Sequence, residues 1–298
     1  MTDLPRSLLR SVTNIGIYVG ALLAALLVVA AYQIRPSYDI VVGSPTDVTA
    51  VRGFNAGERM QGADAQSFRW TGDDSYIVLE GVGTQDFEVT LTVSGSRPEG
   101  QEAATFEVEV EGEKLLDVQP APALTDYHFS VPREKVKDGT LSLHLLSNGF
   151  SPAGDPRVLG VVMSRIQVVP GSNPDRFIAP PLAVPLWVTM AVGLFGLVLA
   201  LLGWGAGGVL VGTGLLSLLA AGLLVWNRLW LTSNDWYGIW WQSIAAAAIF
   251  TGIIRLVGGW MLRRLAKRFA FDGGSFGLHF RVLLTLMFVV FSVRLAGQ

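Results

Sequence analysis

The feature that most constrains this chain is an apolar run near its beginning, Ile15–Ile34, which contains 20 residues and no charge. A helix of this length crosses the hydrocarbon core of a bilayer while pairing all of its backbone groups internally. Arg6 and Arg10 precede the run, and Arg35-Pro36 ends it. The pattern predicts an uncleaved membrane anchor. A cleaved signal peptide is the competing interpretation, although its apolar region would be longer than usual.

Four further apolar blocks in the second half of the chain are also long enough to cross a bilayer. They are Leu182–Trp204, Gly207–Trp226, Gly238–Trp260 and Gly277–Ala296. The whole chain is 51% hydrophobic and only 15% charged, with a mean hydropathy of +0.45. This composition is too apolar for an ordinary soluble protein of this size. Together with the first run, the four blocks therefore predict five membrane spans.

The segment between the first and second spans has a different period. From Tyr38 to about Pro170 apolar and polar residues alternate, as in Phe106–Glu113 and Leu141–Leu146, and turn sequences separate the runs. This alternation is typical of half-buried antiparallel strands. We therefore expect a multi-domain membrane protein in which an all-β sandwich, a jelly roll, is inserted between transmembrane helix one and a four-helix transmembrane bundle.

The expected domain boundaries follow these changes of period. Residues 1–36 hold the cytoplasmic N-terminus and the first helix, 37–170 the sandwich, 171–181 a Pro-rich linker and 182–298 the four helices.

Charge predicts the sidedness of this arrangement. Residues 35–176 contain 12 Lys+Arg and 21 Asp+Glu, a balance of −9, whereas residues 177–298 contain 8 and 2, a balance of +6. Short basic loops stay in the cytoplasm, and both Arg6/Arg10 and the cluster Arg263–Arg268 satisfy this rule in a five-span count. We expect the sandwich and the C-terminus to face the extracytoplasmic side.

Two short stretches of the sandwich carry candidate ligand-binding residues. Arg69 and Trp70 pair a flat aromatic ring with a fork of donors, a combination that stacks on a sugar and hydrogen-bonds its hydroxyls. Asp155 and Arg157 stand where the last long strand begins, in a loop that can present polar groups. The alternatives are a core tryptophan with a salt-bridged arginine, and an ion pair that only fixes a turn.

A second set of candidates belongs to the membrane segments. Arg255 lies within the fourth predicted span, towards its cytoplasmic end, where it can reach headgroups or contact a lipid phosphate or polar partner. Trp236, Trp240 and Trp241 crowd the preceding outer loop as an interfacial belt does. We expect these residues to contact lipid headgroups or a partner protein.

Several classes of chemistry find no support in the sequence. There is no cysteine, which excludes disulfides and thiolate sites, and His128, His144 and His279 lack the spacing of metal ligands. Phosphate loops and nucleophile motifs are absent. We expect no metal, no cofactor and no catalytic residue. The expected partners are membrane lipids, glycan and another membrane protein, and no nucleic acid.

Two stretches of the sandwich region carry a family resemblance. "GFNAGERMQGADAQSFRWTGDDSYIVLEG" and "NGFSPAGDPRVLGVVMSRIQV" resemble the extracytoplasmic jelly-roll domain of bacterial multi-spanning glycosyltransferases that use polyprenyl-phosphate sugars. The resemblance continues through "NRLWLT" to "FSVRLAG". It implies a location in the bacterial plasma membrane and a carbohydrate-binding-like sandwich.

In such enzymes the catalytic acids lie in a later extracytoplasmic loop, and further spans carry the lipid-sugar site. This chain ends at Gln298, where that loop would begin, and its outer membrane loops contain one acid, Asp235. We therefore expect a non-catalytic membrane protein, accessory to cell-surface glycan assembly or glycosyl transfer, or a separate part of such an enzyme. The alternative is a scaffolding subunit of a larger membrane complex that uses the sandwich as a docking surface.

Overall fold

The computed structural model describes residues 11–60, 66–152, 154–171 and 177–233. This part of the chain forms two compact units. The helical unit contains residues 11–31 and 182–226, and the sandwich unit contains Tyr32–Pro181 together with Asn227–Ser233.

Three long apolar helices occur in the described residues. They are α1 (Ile15–Tyr32), α2 (Ala183–Leu201) and α3 (Ala206–Trp226), with mean hydropathies of 2.4, 2.2 and 2.2. Each is long and apolar enough to span a membrane, which confirms the prediction of potential spans in these places. The predicted spans Gly238–Trp260 and Gly277–Ala296 lie outside the described residues.

Small residues allow α1 to lie directly against α3 within the helical unit. A Cβ atom added to Gly16 would stand 2.6 Å from the carbonyl oxygen of Ala206, and one added to Gly20 would stand 2.1 Å from the Thr213 hydroxyl oxygen. Thr213 is fully buried, and its hydroxyl donates to the carbonyl oxygen of Val209 at 2.8 Å. Close backbone approach through glycine is the usual basis of helix packing in membranes.

The sandwich unit is a large antiparallel β-sheet of ten strands. The strands are β1 (Tyr38–Val41), β2 (Val51–Phe54), β3 (Glu58–Arg59), β4 (Ser67–Leu79), β5 (Phe87–Ser94), β6 (Phe106–Val110), β7 (Glu113–Val118), β8 (Thr125–Val131), β9 (Leu141–Ser147) and β10 (Val162–Pro170). Their alternating burial agrees with the predicted period, and the β-rich, sandwich-like architecture is confirmed. The jelly-roll order remains a prediction.

The sheet consists of two halves that face one another. One half contains β1, β10, β5 and β8, and the other contains β2, β4, β9, β6 and β7, with the two-residue strand β3 paired to the first part of β4. A single core includes residues from both, such as Leu91 and Ile166 from the first half and Ile77 and Leu143 from the second, all fully buried. Burial of these facing side chains, at about 25 cal/mol per Å² of apolar surface, is the main stabilising term.

The two halves join where β4 pairs with β10, through Trp70 opposite Val162 and Arg69 opposite Met163. Thr71, next along β4, fixes this joint. It is almost completely buried, its backbone exchanges hydrogen bonds with residues 160 and 161, and its hydroxyl oxygen accepts from the Val161 N–H at 3.0 Å. The joint therefore sets the position of Trp70.

The sandwich unit also contains a short helix, α4 (Arg228–Thr232), that the sequence presents only as part of a loop. Arg228 is 1% exposed, its guanidinium lies 4.2 Å from the ring centre of Tyr32, and it donates to the carbonyl oxygens of Ile34 at 3.0 Å and Val82 at 3.3 Å. Leu229 packs against the sandwich core. Residues 227–233 are therefore a structural part of the sandwich.

Candidate functional site

Arg69, the first predicted ligand-binding residue, is engaged by protein acceptors. Its Nε and Nη2 atoms donate to the two carboxylate oxygens of Asp47 at 2.7 and 2.9 Å, and Nη1 donates to the carbonyl oxygen of Asn55 at 3.0 Å. Asp47 is fully buried and also accepts from the Gly43 N–H at 2.6 Å. Hydrogen bonding to Asp47 raises the pKa of Arg69. The bidentate pair holds the loop before β2 against β4 and supports the strand position next to Trp70.

Trp70 is partly exposed and packs edge-on between two other aromatic rings. Its ring centre is 6.5 Å from that of Phe68 and 5.9 Å from that of Phe150, with interplanar angles of 78° and 76°. The Arg97 guanidinium lies 5.0 Å from the ring centre of Phe150, which is itself in contact with Trp70. Edge-to-face contacts fix the orientation of the Trp70 ring while leaving part of it accessible.

Asp155 and Arg157 form one partly exposed ion cluster with Glu58. Arg157 donates from Nε and Nη2 to the Asp155 carboxylate at 2.9 and 2.7 Å, and from Nη1 to Glu58 at 2.6 Å. Hydrogen bonding from Arg157 holds the pKa of Asp155 below its ordinary value. The three side chains are 25% to 38% exposed, so their outer polar atoms remain accessible to solvent. Glu58 lies opposite Phe68, two residues from Trp70.

Asn55, which the sequence does not single out, links these elements. Its N–H donates to the carbonyl oxygen of Trp70 at 2.8 Å, its own carbonyl accepts from Arg69, and its side-chain amide donates to the Val158 carbonyl at 3.0 Å. Val158 directly follows Arg157 in the chain. Through Asn55 the structure brings the four predicted residues of the sandwich to one region, at the joint of the two sheet halves. Their role in ligand binding remains a prediction.

A second surface of the sandwich, on β4 and β9, was not predicted from the sequence. Tyr76 and His144 are directly opposed on β4 and β9, and their rings stack at 4.5 Å with an interplanar angle of 5°. His144 Nε2 lies 2.8 Å from an Asp74 carboxylate oxygen, and Nδ1 lies 3.6 Å from a Glu109 carboxylate oxygen. Tyr76 is 38% exposed. The outward position of His144 in "LSLHLL" was visible in the sequence, but its register against Tyr76 was not.

The Tyr76 hydroxyl keeps its proton in this surface. Desolvation, and next the Asp74 carboxylate, raise the pKa of Tyr76, so its hydroxyl remains protonated and able to donate at neutral pH. Within the described ranges, no group of three or more His, Asp or Glu side chains is arranged to hold a metal ion.

The remaining candidates from the sequence belong to the predicted membrane segments. Arg255, Trp236, Trp240 and Trp241 lie outside the described residues, and their contacts with lipid or partner remain predictions.

Comparison with known proteins gives limited similarity. No protein-family model matches the chain, and no curated protein matches it. Among solved structures, a family GH115 4-O-methyl-alpha-glucuronidase, BtGH115A, with specificity for decorated arabinogalactans, is 12% identical over 45% of this chain and 18% of its own, at a TM-score of 0.27.

Two further structures are similar at the same level. The Podospora anserina GH26-CBM35 β-(1,4)-mannanase is 11% identical over 54% of this chain and 35% of its own, at a TM-score of 0.29. The CBM51 from Clostridium perfringens GH95, in complex with methyl-galactose, is 17% identical over 44% of this chain and 100% of its own, at a TM-score of 0.27. At TM-scores this low the similarity carries no argument about function, and the resemblance to membrane glycosyltransferases remains a prediction.

Proposed function

We propose that this protein is a non-catalytic integral membrane protein whose extracytoplasmic sandwich binds glycan, and that it is accessory to glycosyl transfer or glycan assembly at the bacterial cell surface. The observation that carries the proposal is the partly exposed ring of Trp70, held edge-on by Phe68 and Phe150 at the joint of the sheet halves. A tryptophan fixed in this way loses little conformational entropy when a sugar ring stacks on it.

The neighbouring polar groups supply the second requirement of glycan binding. The Glu58, Asp155 and Arg157 cluster offers carboxylate acceptors and guanidinium donors that are partly exposed. These groups suit the hydroxyls of a sugar, which both donate and accept. Arg69 supports the site indirectly, because its contacts with Asp47 and Asn55 fix the backbone from which Trp70 projects.

The membrane part of the proposal rests on composition and charge. The three described apolar helices provide the spans, and the acidic balance of residues 35–176 contrasts with the basic balance of residues 177–298. Under the positive-inside rule this contrast supports an exported sandwich. Protease added to intact cells should therefore cleave the sandwich. A sandwich left intact while residues near Arg264 are cut would contradict the orientation.

Binding is best tested with the full-length protein in detergent on an array of neutral cell-surface oligosaccharides. We expect specific binding that Trp70→Ala weakens about tenfold, since stacking of one ring is worth on the order of 1 kcal/mol. Trp226→Ala is the matched control, because Trp226 is 81% exposed but lies in the helical unit. Equal loss of binding in both variants, or no binding at all, would contradict the proposal.

A scaffolding role is the second candidate function. It is favoured by one observation: the guanidinium groups of Arg69 and Arg157 are already bound by carboxylates of this chain, as side chains at a protein-docking surface can be. Native co-purification distinguishes the two functions. A constant stoichiometry with unrelated membrane subunits, without glycan, would support scaffolding.

A further inference from the structure

We infer that the outer face of the sheet half β2, β4, β9, β6 and β7 carries a second binding site, centred on the Tyr76–His144 stack, for sugar units that bear a protonated amine. This goes beyond the proposed function in site and in ligand class, and it uses none of the residues assigned to the Trp70 region. It rests on the proposed function in one respect only, namely that the sandwich is exposed to glycan.

The strand register brings the residues of this site into one row. Arg52 is the cross-strand partner of Tyr76, Tyr76 of His144, His144 of Glu109, and Glu109 of Lys114. Directly opposed residues in antiparallel strands share a face, with Cβ atoms about 5 Å apart. The row therefore crosses five neighbouring strands and gives an extended ligand a continuous surface.

The centre of the row offers an aromatic surface. The Tyr76 ring is parallel to the His144 imidazole, and the two rings support one another at 4.5 Å. Tyr76 is 38% exposed and is the one tyrosine, phenylalanine or tryptophan of the described strands that reaches this exposure. An exposed, prealigned ring of this kind is suited to stacking against the C–H face of a sugar.

The charge beside the stack is negative in either protonation state of the imidazole. Asp74 and Glu109 contribute two carboxylates, against which His144 supplies at most one positive charge. The cations of the row are engaged elsewhere, because Lys114 pairs with Glu107 at 2.8 Å and Asp117 at 2.9 Å, and Arg52 pairs with Glu80 at 3.0 Å.

This pattern of charge selects the ligand. A protonated amine can replace the water around Asp74 and Glu109 and form charge-assisted hydrogen bonds, while its sugar ring covers Tyr76. An N-acetylated sugar keeps the ring but loses the cation, and an acidic sugar is repelled. The site therefore distinguishes sugars by the charge on nitrogen.

The test uses the full-length protein in detergent and a short chitosan oligomer, with the fully N-acetylated oligomer as the matched ligand. We expect the chitosan oligomer to bind at least about tenfold more tightly than the acetylated one at low salt, and the difference to shrink as salt is added. Tyr76→Ala should weaken chitosan binding about tenfold, whereas Asp74→Asn combined with Glu109→Gln should abolish the preference for the amine.

Controls on the other sheet half separate this site from general attraction to an acidic domain. Asp126→Asn removes an exposed carboxylate from the outer face of β8 and should leave chitosan binding unchanged. Equal affinity for both oligomers overturns the inference. The inference is also overturned if oligolysine displaces the chitosan oligomer equally well from the parent protein and from Tyr76→Ala, because that result identifies a surface for basic peptides.

The outcome can be separated from that of the proposed function. If chitosan binding depends on Tyr76 while no neutral glycan binds through Trp70, the inference stands and the proposed Trp70 site fails. If neutral glycans bind through Trp70 and chitosan does not bind, the proposed function stands and this inference fails. Thermal unfolding of each variant, equal to that of the parent, shows that a loss of binding is local.

Discussion

The guanidinium of Arg228 lies 4.2 Å from the centre of the Tyr32 ring and is buried with it in the sandwich unit. Tyr32 ends α1, and Arg228 begins the short helix that follows α3. A cation over an aromatic face, with backbone carbonyls as acceptors, is one way to satisfy a guanidinium removed from water. The pair therefore joins two distant parts of the chain into the sandwich unit.

Loss of the Arg228 side chain should destabilise the sandwich. In Arg228→Met the carbonyl groups of Ile34 and Val82 lose charged donors, which costs about 3 kcal/mol of unfolding free energy. Denaturant unfolding of the full-length protein in detergent, followed by tryptophan fluorescence, measures this. Arg52→Met is the control, because the Arg52 side chain is 56% exposed and its ion pair with Glu80 contributes less than about 1 kcal/mol. Equal effects of the two substitutions would contradict the structural role of Arg228.

Gly81 tests the contact between the turn after β4 and the short helix. Its φ is +73°, and an added Cβ would stand 2.3 Å from the Thr232 Cβ. Gly112 has nearly the same φ, +75°, but an added Cβ there meets nothing within 4 Å. Both Gly→Ala substitutions carry the cost of a left-handed residue, about 1 kcal/mol. Gly81→Ala should cost about 2 kcal/mol more because of the clash, and thermal unfolding that ranks the two variants equally would exclude the contact.

Thr71 tests the joint between the sheet halves. Thr71→Val keeps the shape of the side chain but leaves the buried N–H of Val161 without its acceptor, a loss of about 2 kcal/mol. Thr71→Ser retains the hydroxyl and should lose less. Hydrogen exchange of the Val161 amide should rise in the valine variant and remain near the parent rate in the serine variant. Equal exchange rates of the Val161 amide in the two variants would contradict the role of the Thr71 hydroxyl as its acceptor.

The ion pair of Asp39 with Arg165 predicts a dependence of stability on pH. Hydrogen bonding from Arg165 lowers the pKa of Asp39 from 3.8, so the stabilisation is fully present above that value and is lost as the pH falls through the lowered pKa. Both side chains are about half exposed, so the effect is under about 1 kcal/mol and decreases with salt. Asp39→Asn should unfold with a shallower dependence on acid pH. If Asp39→Asn leaves the decrease of stability at acid pH unchanged, the ion pair adds no stability.

The parts of the fold that depend on local pattern could be predicted from the sequence. Continuous apolar runs indicated the three described helices, and alternation indicated strands such as β5, where Phe87, Val89 and Leu91 all point into the core. Both signals arise from neighbouring residues, because a helix and a strand each repeat their environment within a few positions.

The candidate surfaces depend on register between distant residues, which the sequence does not show. In the sequence Tyr76 is one residue of a predicted strand, and the stack exists only because the strand register places it opposite His144. Arg69 and Trp70 were identified by type, but the buried partner of Arg69, Asp47, stands in a short 3₁₀ helix with no motif. Partners of this kind are set by the three-dimensional path of the chain.

The position of Arg228 in the chain also orders the events of synthesis. All ten strands have been synthesised once Pro170 is added, yet the sandwich unit is completed by Arg228, which follows two further hydrophobic helices in the chain. Closure of the module is thus delayed until those helices have been translated, and a failure to insert them would leave an unfinished domain exposed to quality-control proteases.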